Sequence, residues 1–367
     1  MTQIWLVVGM RLLPAVIALL FLVGCTQSIE TQNEIAQTDS QSSKAPGPQA
    51  ENGDSAKQES GEASEKDGVD LSPEAPLSEV QDSDESAAEA SKGVEVTRGL
   101  IEVSLFHGGV DREALLYVPE TYDHLNGAPL MLNFHGFSLD ANTQLQLADM
   151  RSLADRDGFL LAYPQGTELG GYPFWNALPV SEDKNKSSVD DLGFVRDLIA
   201  QIESSYPLDR SRIYASGFSN GGMMAYALAC YERDLVAAVG VVSGQLLDGE
   251  NCAPESPTAV IKLHGTNDRV LPYNGGYGQL SVQDAIDFWV THNETATSPQ
   301  VEVFTQGGTT IERQIYGRGK NGVAVEHYKY LEGEHDWFRQ RVEGLDASEL
   351  LWNFVSRYSS EGLLAGG

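Results

Sequence analysis

From residue 98 to the C-terminus the sequence predicts an α/β fold, a mostly parallel central sheet with helices on both faces. Three observations predict it. Short β-rich runs alternate with longer amphipathic runs, the rhythm of strands joined by covering helices. The composition changes abruptly near residue 97, so the rhythm belongs to one stretch of chain and not to the whole. Within that stretch a Gly-x-Ser-x-Gly pentapeptide falls between a short strand and a helix, a placement this fold class uses to expose a side chain at a sharp turn.

The 367-residue chain divides into three parts. Residues 1–25 carry one Arg ahead of an apolar run at 12–23 that is short for a membrane span, and they predict an export signal. The run ends in Leu22-Val23-Gly24-Cys25, which resembles the lipobox of bacterial lipoproteins, with Cys25 as the lipidated mature N-terminus. An ordinary signal peptide or signal anchor with a chance cysteine is the alternative. Thr26 in place of Asp implies the outer membrane or cell surface where the host has one, so the chain is expected to be exported and anchored to the cell envelope.

Residues 26–97 hold almost no bulky apolar or aromatic side chains and are rich in Ser, Gln, Glu, Asp and Ala. Such a segment cannot bury enough apolar surface to offset its ordering entropy, and composition predicts a disordered acidic linker. Its expected root-mean-square span is about 45 Å, enough to hold a domain clear of a membrane. Across the chain 53 acidic residues against 24 basic ones leave a net charge of −29, which argues against nucleic acid as a partner.

In the third part, 98–367, runs at 101–106 and 114–118 around Gly108-Gly109 predict an antiparallel hairpin. An apolar strand at 129–135 precedes a helix over 142–156, where Leu145, Leu147, Met150, Leu153 and Ala154 approach helical spacing. A strand at 159–163 follows. The next helix spans 189–206, with Ser188 and Asp191 as a capping-box-like start and Pro207 just past its end. Strand 212–215 leads into the pentapeptide and helix 223–231. Strands at 236–242 and 258–264, a helix at 282–293, late strands near 301–304 and 323–331, and a final helix at 348–358 complete the order. Cys230 and Cys252 remain after Cys25, and an oxidising destination predicts a disulfide between them, two buried thiols being the alternative.

The pentapeptide is Gly217-Phe218-Ser219-Asn220-Gly221. By composition alone a chain this long contains such a pattern by accident about one time in ten, so the strand before it and the helix after it carry the weight. They identify an α/β-hydrolase fold with Ser219 as nucleophile. In that fold the acid and the histidine follow the serine in chain order. Of seven histidines only His292, His327 and His335 follow a suitable acid; the first falls in a helix and the second in a strand, leaving His335 in the loop Glu332-Gly333-Glu334-His335-Asp336-Trp337. Asp268, just beyond strand 258–264, is the candidate acid, which would orient the imidazole. Asp234, Asp284 and Asp287 lie on or beside helices and fit worse. The bland readings are a loop histidine and a turn aspartate. The amide of Asn220 and that of Phe137, in His135-Gly136-Phe137 after the first apolar strand, are the candidate oxyanion donors. Trp175, Tyr273 and Trp337 are candidate substrate-binding aromatics, or equally loop aromatics packed on the domain surface. No HExxH, CxxC pair or P-loop occurs, and the reading calls for no metal and no cofactor.

Taken in order, His135-Gly136-Phe137, the run VDDLGFVRDLI from Val189, GFSNGGMMAYALAC from Gly217, HGTNDRVLPYNGG from His264 and Gly333-Glu334-His335-Asp336-Trp337 resemble the polyhydroxybutyrate depolymerase and feruloyl esterase family, which is similar to carbohydrate esterase family 1. The resemblance covers nearly the whole domain. It implies carboxylic ester hydrolysis by Ser219, Asp268 and His335, on feruloyl or acetyl esters of polysaccharide or on short polyester. The chain departs from the family pattern where Asn293 is followed by Glu294 and where Glu334-His335-Asp336-Trp337-Phe338 replaces the usual Gly-His-x-Trp-Pro. A serine peptidase on this fold, and a non-catalytic anchored binding protein on a hydrolase scaffold, are the readings from other classes.

Overall fold

A computed structural model describes residues 96–180, 187–232, 235–247, 251–276 and 279–366. The segment predicted to be an export signal, Cys25 and nearly all of the predicted acidic linker lie outside them. The predicted hairpin is present: β1 (Gly99–His107) and β2 (Val110–Val118) pair antiparallel around Gly108 and Gly109, both at positive φ. The other strands of the main sheet are β3 (Ala128–Phe134), β4 (Leu160–Pro164), β7 (Leu208–Phe218), β8 (Ala238–Val242), β9 (Ala259–Gly265), β10 (Gln300–Gln306), β11 (Thr309–Tyr316) and β12 (Val325–Tyr330). They form a ten-stranded sheet in the order β1-β2-β4-β3-β7-β8-β9-β12-β11-β10. The run from β4 to β12 is parallel and the pairs toward both edges are antiparallel. This sheet, helix-covered on both faces, is the α/β-hydrolase fold.

Burial follows position in the sheet. Every residue of β3, β4, β8 and β9 is buried, as expected of strands covered on both faces, whereas the edge strand β1 alternates between half-buried and exposed. Helices α3 (Asp191–Glu203), α4 (Asn220–Tyr231) and α5 (Val282–His292) bury Phe194, Ile199, Met224, Ile286 and Trp289 against one face. Helices α1 (Ala141–Leu147), α2 (Arg151–Asp157) and α6 (Ala347–Val355) bury Leu145, Leu153, Leu351 and Phe354 against the other. Capping boxes start α5, at Ser281 and Asp284, and α6, at Asp346 and Glu349.

Four expectations change. The helix predicted over 142–156 is two helices, because the Tyr163 hydroxyl donates to Ala148 O (2.7 Å) and accepts from Met150 N (3.3 Å), which satisfies the main chain at the break. Helix α3 is capped by Asp190, whose carboxylate accepts from Gly193 N at 2.8 Å, and not by Ser188 with Asp191. Asp191 is instead buried against Arg112. The long loop after β4 contains a small hairpin, β5 (Thr167–Leu169) with β6 (Tyr172–Phe174). The late part of the sheet holds three strands where two were expected: Thr309–Tyr316 has only Ile311 and Tyr316 fully buried, so it shows no hydrophobic alternation to read. The short strands β13 (Tyr358–Ser359) and β14 (Gly362–Leu363) pair after α6.

Cys230, at the end of α4, and Cys252, in the segment leading to β9, form a disulfide that closes a 22-residue separation. Replacing both by Ala should lower unfolding stability by about 3 kcal/mol on the chain-entropy estimate for a loop of that length. Urea unfolding of the oxidised wild type and the double variant measures this; coincident midpoints would show that the loop adds no constraint.

Candidate active site

The chain doubles back between β3 and β7. From β3 it moves outward to β4, then crosses behind to β7 on the other side of β3, so the loops leaving β3 and β7 diverge and leave a crevice at the carboxyl edge of the sheet. Ser219 follows β7 and His135-Gly136-Phe137 follows β3. The two lie side by side: a methyl group on Gly136 would stand 3.4 Å from Ser219 Cβ.

Ser219 sits at φ 55°, ψ −118°, a conformation that costs a non-glycine residue about 1–3 kcal/mol. Surrounding contacts hold it there. Its amide donates to Val242 O at 2.9 Å, and its carbonyl accepts from Met223 N at 3.0 Å as the first bond of α4. Gly221 sets how closely α4 approaches the sheet, since a Cβ there would lie 2.1 Å from Phe134 O and 2.6 Å from His135 O. Only glycine permits that approach. Ser219 is 9% exposed, at the N-terminal end of a helix whose dipole favours negative charge.

Asp268 and His335 meet across two loops. The loop after β9 and the loop after β12 are stitched by Thr266 N to Tyr330 O (2.9 Å) and Asn267 N to Gly333 O (2.9 Å), and by Glu332 N to Thr266 Oγ1 (2.9 Å). Gly265 lets them touch, because a Cβ on it would fall 2.2 Å from Gly333 O. The result is a 2.7 Å bond between His335 Nδ1 and Asp268 Oδ2. The other oxygen, Oδ1, accepts from Val270 N and Leu271 N, each at 2.8 Å. His264 Nε2 stands 3.3 Å from Oδ2. Burial alone would raise the Asp268 pKa, but the hydrogen bonds and charges of His264 and His335 outweigh it and hold the carboxyl well below the usual carboxylate range.

His335 reaches the serine loop through Phe218, whose ring lies 4.9 Å from its imidazole. Among the described residues no hydrogen bond joins Ser219 Oγ to His335. Ser243 Oγ donates to Asp336 O at 3.0 Å and ties the His335 loop to the end of β8. The amides of Phe137 and Asn220 donate to no acceptor among the described residues, so both are available. Beside His335 a cleft of about 610 Å³ opens toward the β10–β11 turn, bordered by Thr309, Thr310, Glu332, Glu334 and Gln340. Among the described residues no three His, Cys, Asp or Glu side chains are grouped to hold a metal ion.

Two candidate substrate-binding aromatics are corrected. Trp175 is 0% exposed: its indole N–H donates to His135 O at 3.0 Å and its ring packs edge-on against Phe134. Trp337 is 2% exposed, with its N–H directed to Ser348 Oγ at 3.3 Å. Both indoles found buried acceptors, so neither has a face for a substrate. Tyr273 is half-buried and its hydroxyl is engaged with His327 Nε2 at 2.8 Å. The aromatic surface at this edge comes from Tyr172, 43% exposed, whose ring centroid lies 5.7 Å from that of Phe137, with Phe174 beside it. Tyr172 and Phe174 lie on the β5–β6 hairpin, in the stretch between strand 159–163 and helix 189–206 where the sequence predicted no element.

Trp175 has another part. Asn220 Oδ1 accepts from Trp175 N at 2.7 Å and its Nδ2 donates to Trp175 O at 3.0 Å, so this side chain grips the main chain of the loop from both sides. The next residue, Asn176, donates its amide to Asp191 Oδ2 at 2.7 Å, and Asp191 Oδ1 pairs with Arg112 at 2.7 Å. Burial pushes the Arg112 pKa down and that of Asp191 up, each against the pull of its partner.

Three imidazoles are buried neutral. Desolvation lowers His135 and His264 to about 4 and His327 to about 3. The unfolded chain protonates such groups near pH 6.5, so each costs nothing above that pH and removes stability as pH falls from about 6.5 toward its folded value. The slope is about 1.4 kcal/mol per pH unit for each histidine. The depressed Asp268 adds stability that is complete above the ordinary carboxylate pKa and is lost only below it. Unfolding free energies measured from pH 7.5 to 5 should therefore show these imidazoles contributing little down to about pH 6.5 and a fall below it; a profile with no fall below about pH 6.5 would show that these imidazoles are not buried neutral.

The chain's similarities fit this geometry. Residues 113–273, which include Ser219 and Asp268, match the family model described as Esterase PHB depolymerase. Feruloyl esterase B of Piromyces equi is 28% identical, over 68% of this chain and 45% of its own length. A bifunctional acetylxylan esterase/xylanase of Neocallimastix patriciarum is 27% identical, over 69% of this chain and 34% of its own. This chain thus spans less than half of either relative. A probable feruloyl esterase C of Aspergillus niger is 32% identical, over 66% of this chain and 83% of its own length. The chain belongs to the esterase PHB depolymerase family.

Proposed function

We propose that this protein is a carboxylic ester hydrolase acting through an acyl-enzyme on Ser219, with feruloyl or acetyl esters of polysaccharide as its substrates. The observation that carries the reading is the 2.7 Å bond from His335 Nδ1 to a buried carboxylate on the same sheet edge as a strained serine. A carboxylate can only accept, so Nδ1 bears the proton and Nε2 is left as a base.

In the proposed reaction Ser219 Oγ attacks the ester carbonyl while His335 Nε2 takes its proton. The amides of Asn220 and Phe137 receive the developing oxyanion. The imidazolium, stabilised by Asp268, then protonates the departing alcohol. Water then adds to the acyl carbon as it gives a proton to His335, and the imidazolium returns that proton to Ser219 Oγ as the acid leaves. Tyr172 and Phe137, whose rings meet at 43°, offer an aromatic corner for an aromatic acyl group. The cleft beside His335 is placed for the alcohol side. Relatives with printed names of feruloyl and acetylxylan esterase support this class of ester. The family description favours short polyester as a second substrate. The export signal and lipidation at Cys25 belong to the same proposal, since a polymeric ester lies outside the cell.

The full chain should hydrolyse p-nitrophenyl acetate, methyl ferulate or a hydroxybutyrate oligomer, and Ser219→Ala should lose at least ~10⁴-fold in turnover. The ranking of the three esters identifies the acyl group. Equal rates for wild type and variant, or none for either, would remove Ser219 from the reaction and favour the binding-protein or peptidase reading.

A further inference from the structure

Strand β9 runs Ala-Val-Ile-Lys-Leu-His-Gly from Ala259, and all seven residues are buried. Lys262 therefore has its ammonium inside the sheet-helix interface, where a charge without partners costs several kcal/mol. It has partners. Nζ donates to Gly244 O and meets His264 Nδ1 at 2.8 Å. His264 Nε2 lies 2.9 Å from Leu271 O and 3.3 Å from Asp268 Oδ2.

These contacts admit one arrangement of protons. An ammonium has no acceptor, so His264 Nδ1 must accept from it; a carbonyl has no proton, so His264 Nε2 must donate to Leu271 O. Both requirements select the neutral Nε2–H tautomer. Its proton faces Leu271 O, and the Asp268 oxygen that His335 also uses lies 3.3 Å from the same nitrogen.

We propose that Lys262 is a positioning residue for the Ser219, His335 and Asp268 centre: by donating to His264 Nδ1 it commits that imidazole to the Nε2–H form and makes it a second donor to Asp268 Oδ2. The inference rests on the esterase reading for its catalytic consequence and on geometry alone for the tautomer. Asp268 is then held on all sides, by two amides on one oxygen and two imidazoles on the other. Lys262 also backs the nucleophile loop. Its acceptor Gly244 packs so tightly on the Ser219 main chain that a Cβ there would be 2.8 Å from Ser219 O. One buried cation thus touches the supports of both the serine and the acid.

The titratable groups around Lys262 are His264 and Asp268 on its own strand and the following loop. His327 and Lys329 come from β12, and Tyr273 bonds to His327. Burial brings Lys262 down to about 7, opposed by the charge of Asp268. When Lys262 loses its charge, Leu271 O and Asp268 Oδ2 still require the proton on His264 Nε2, so the tautomer survives that titration while the charge does not. Removing the cation should let protons enter the Asp268 cluster at higher pH.

Two measurements on the full chain test this. In the wild type, ¹⁵N-edited NMR of labelled histidines at pH 7 should show His264 with Nε2 protonated and Nδ1 bare; an Nδ1–H or doubly protonated His264 overturns the proposal without reference to activity. In Lys262→Met, kcat should fall about 10- to 100-fold, the usual effect of a residue one step behind the reacting groups. KM should stay within about twofold, and the acid limb of the kcat/KM profile should move to higher pH. Lys262→Gln, which keeps a donor without the charge, should recover part of kcat and retain the displaced limb. If either variant folds with wild-type kcat and an unmoved limb, Lys262 serves stability only and the proposal fails. An inactive wild type would instead sink the esterase reading, and the tautomer measurement would still decide the arrangement around His264.

Discussion

The carboxyl edge of the sheet depends on one contact, the approach of the α4 main chain at Gly221 to the carbonyls of Phe134 and His135. Because nothing larger than hydrogen fits between them, the end of β3 and the start of α4 are held close together, with Ser219 at the turn between β7 and α4. That one steric limit places the serine beside Gly136 and sets the Phe137 amide next to it. It also leaves the strained backbone of Ser219 no easier conformation to relax into.

The rest of the edge solves a different problem, that of keeping polar groups where water cannot reach. Lys262, His264, Asp268, His327, Arg112 and Asp191 are all buried, and each has a partner of matching donor or acceptor character. Such groups add little net stability compared with apolar side chains, yet removing one partner strands the other at a cost of several kcal/mol. Their value is geometric. A carboxylate with both oxygens engaged has one orientation, and an imidazole between an ammonium and a carbonyl has one tautomer.

Much of this was legible in the sequence where a local pattern has a local cause. The Gly-x-Ser-x-Gly turn, the first hairpin, the fully buried strands and the Asp268 and His335 loops all announce themselves through short-range rules. The two buried tryptophans did not. Trp175 and Trp337 sit in loops, and whether a loop aromatic faces solvent or core depends on acceptors such as His135 O and Ser348 that are distant in the chain. Strand β11 was missed because its two faces are equally half-buried, and Asp191 was taken for a cap because its partner Arg112 lies 79 residues away. One overlooked signal was Lys262, a lysine in the middle of a fully buried and mostly apolar strand.

The grip of Asn220 on Trp175 bears on how such a molecule changes over generations. Asn220, the first residue after Ser219, is fastened through its side chain to the loop that carries Asn176, and that loop is fastened in turn to Arg112 through Asp191. Drift in this loop is therefore felt at the Ser219 turn, and the loop is a poor place to vary. The turns at Gly170-Gly171 and Gly307-Gly308 stand in open space, one beside the Tyr172 surface and the other beside the cleft at His335. Insertions and new side chains there can reshape what the molecule accepts while the machinery behind them stays still, so diversity among descendants should gather at those two tips.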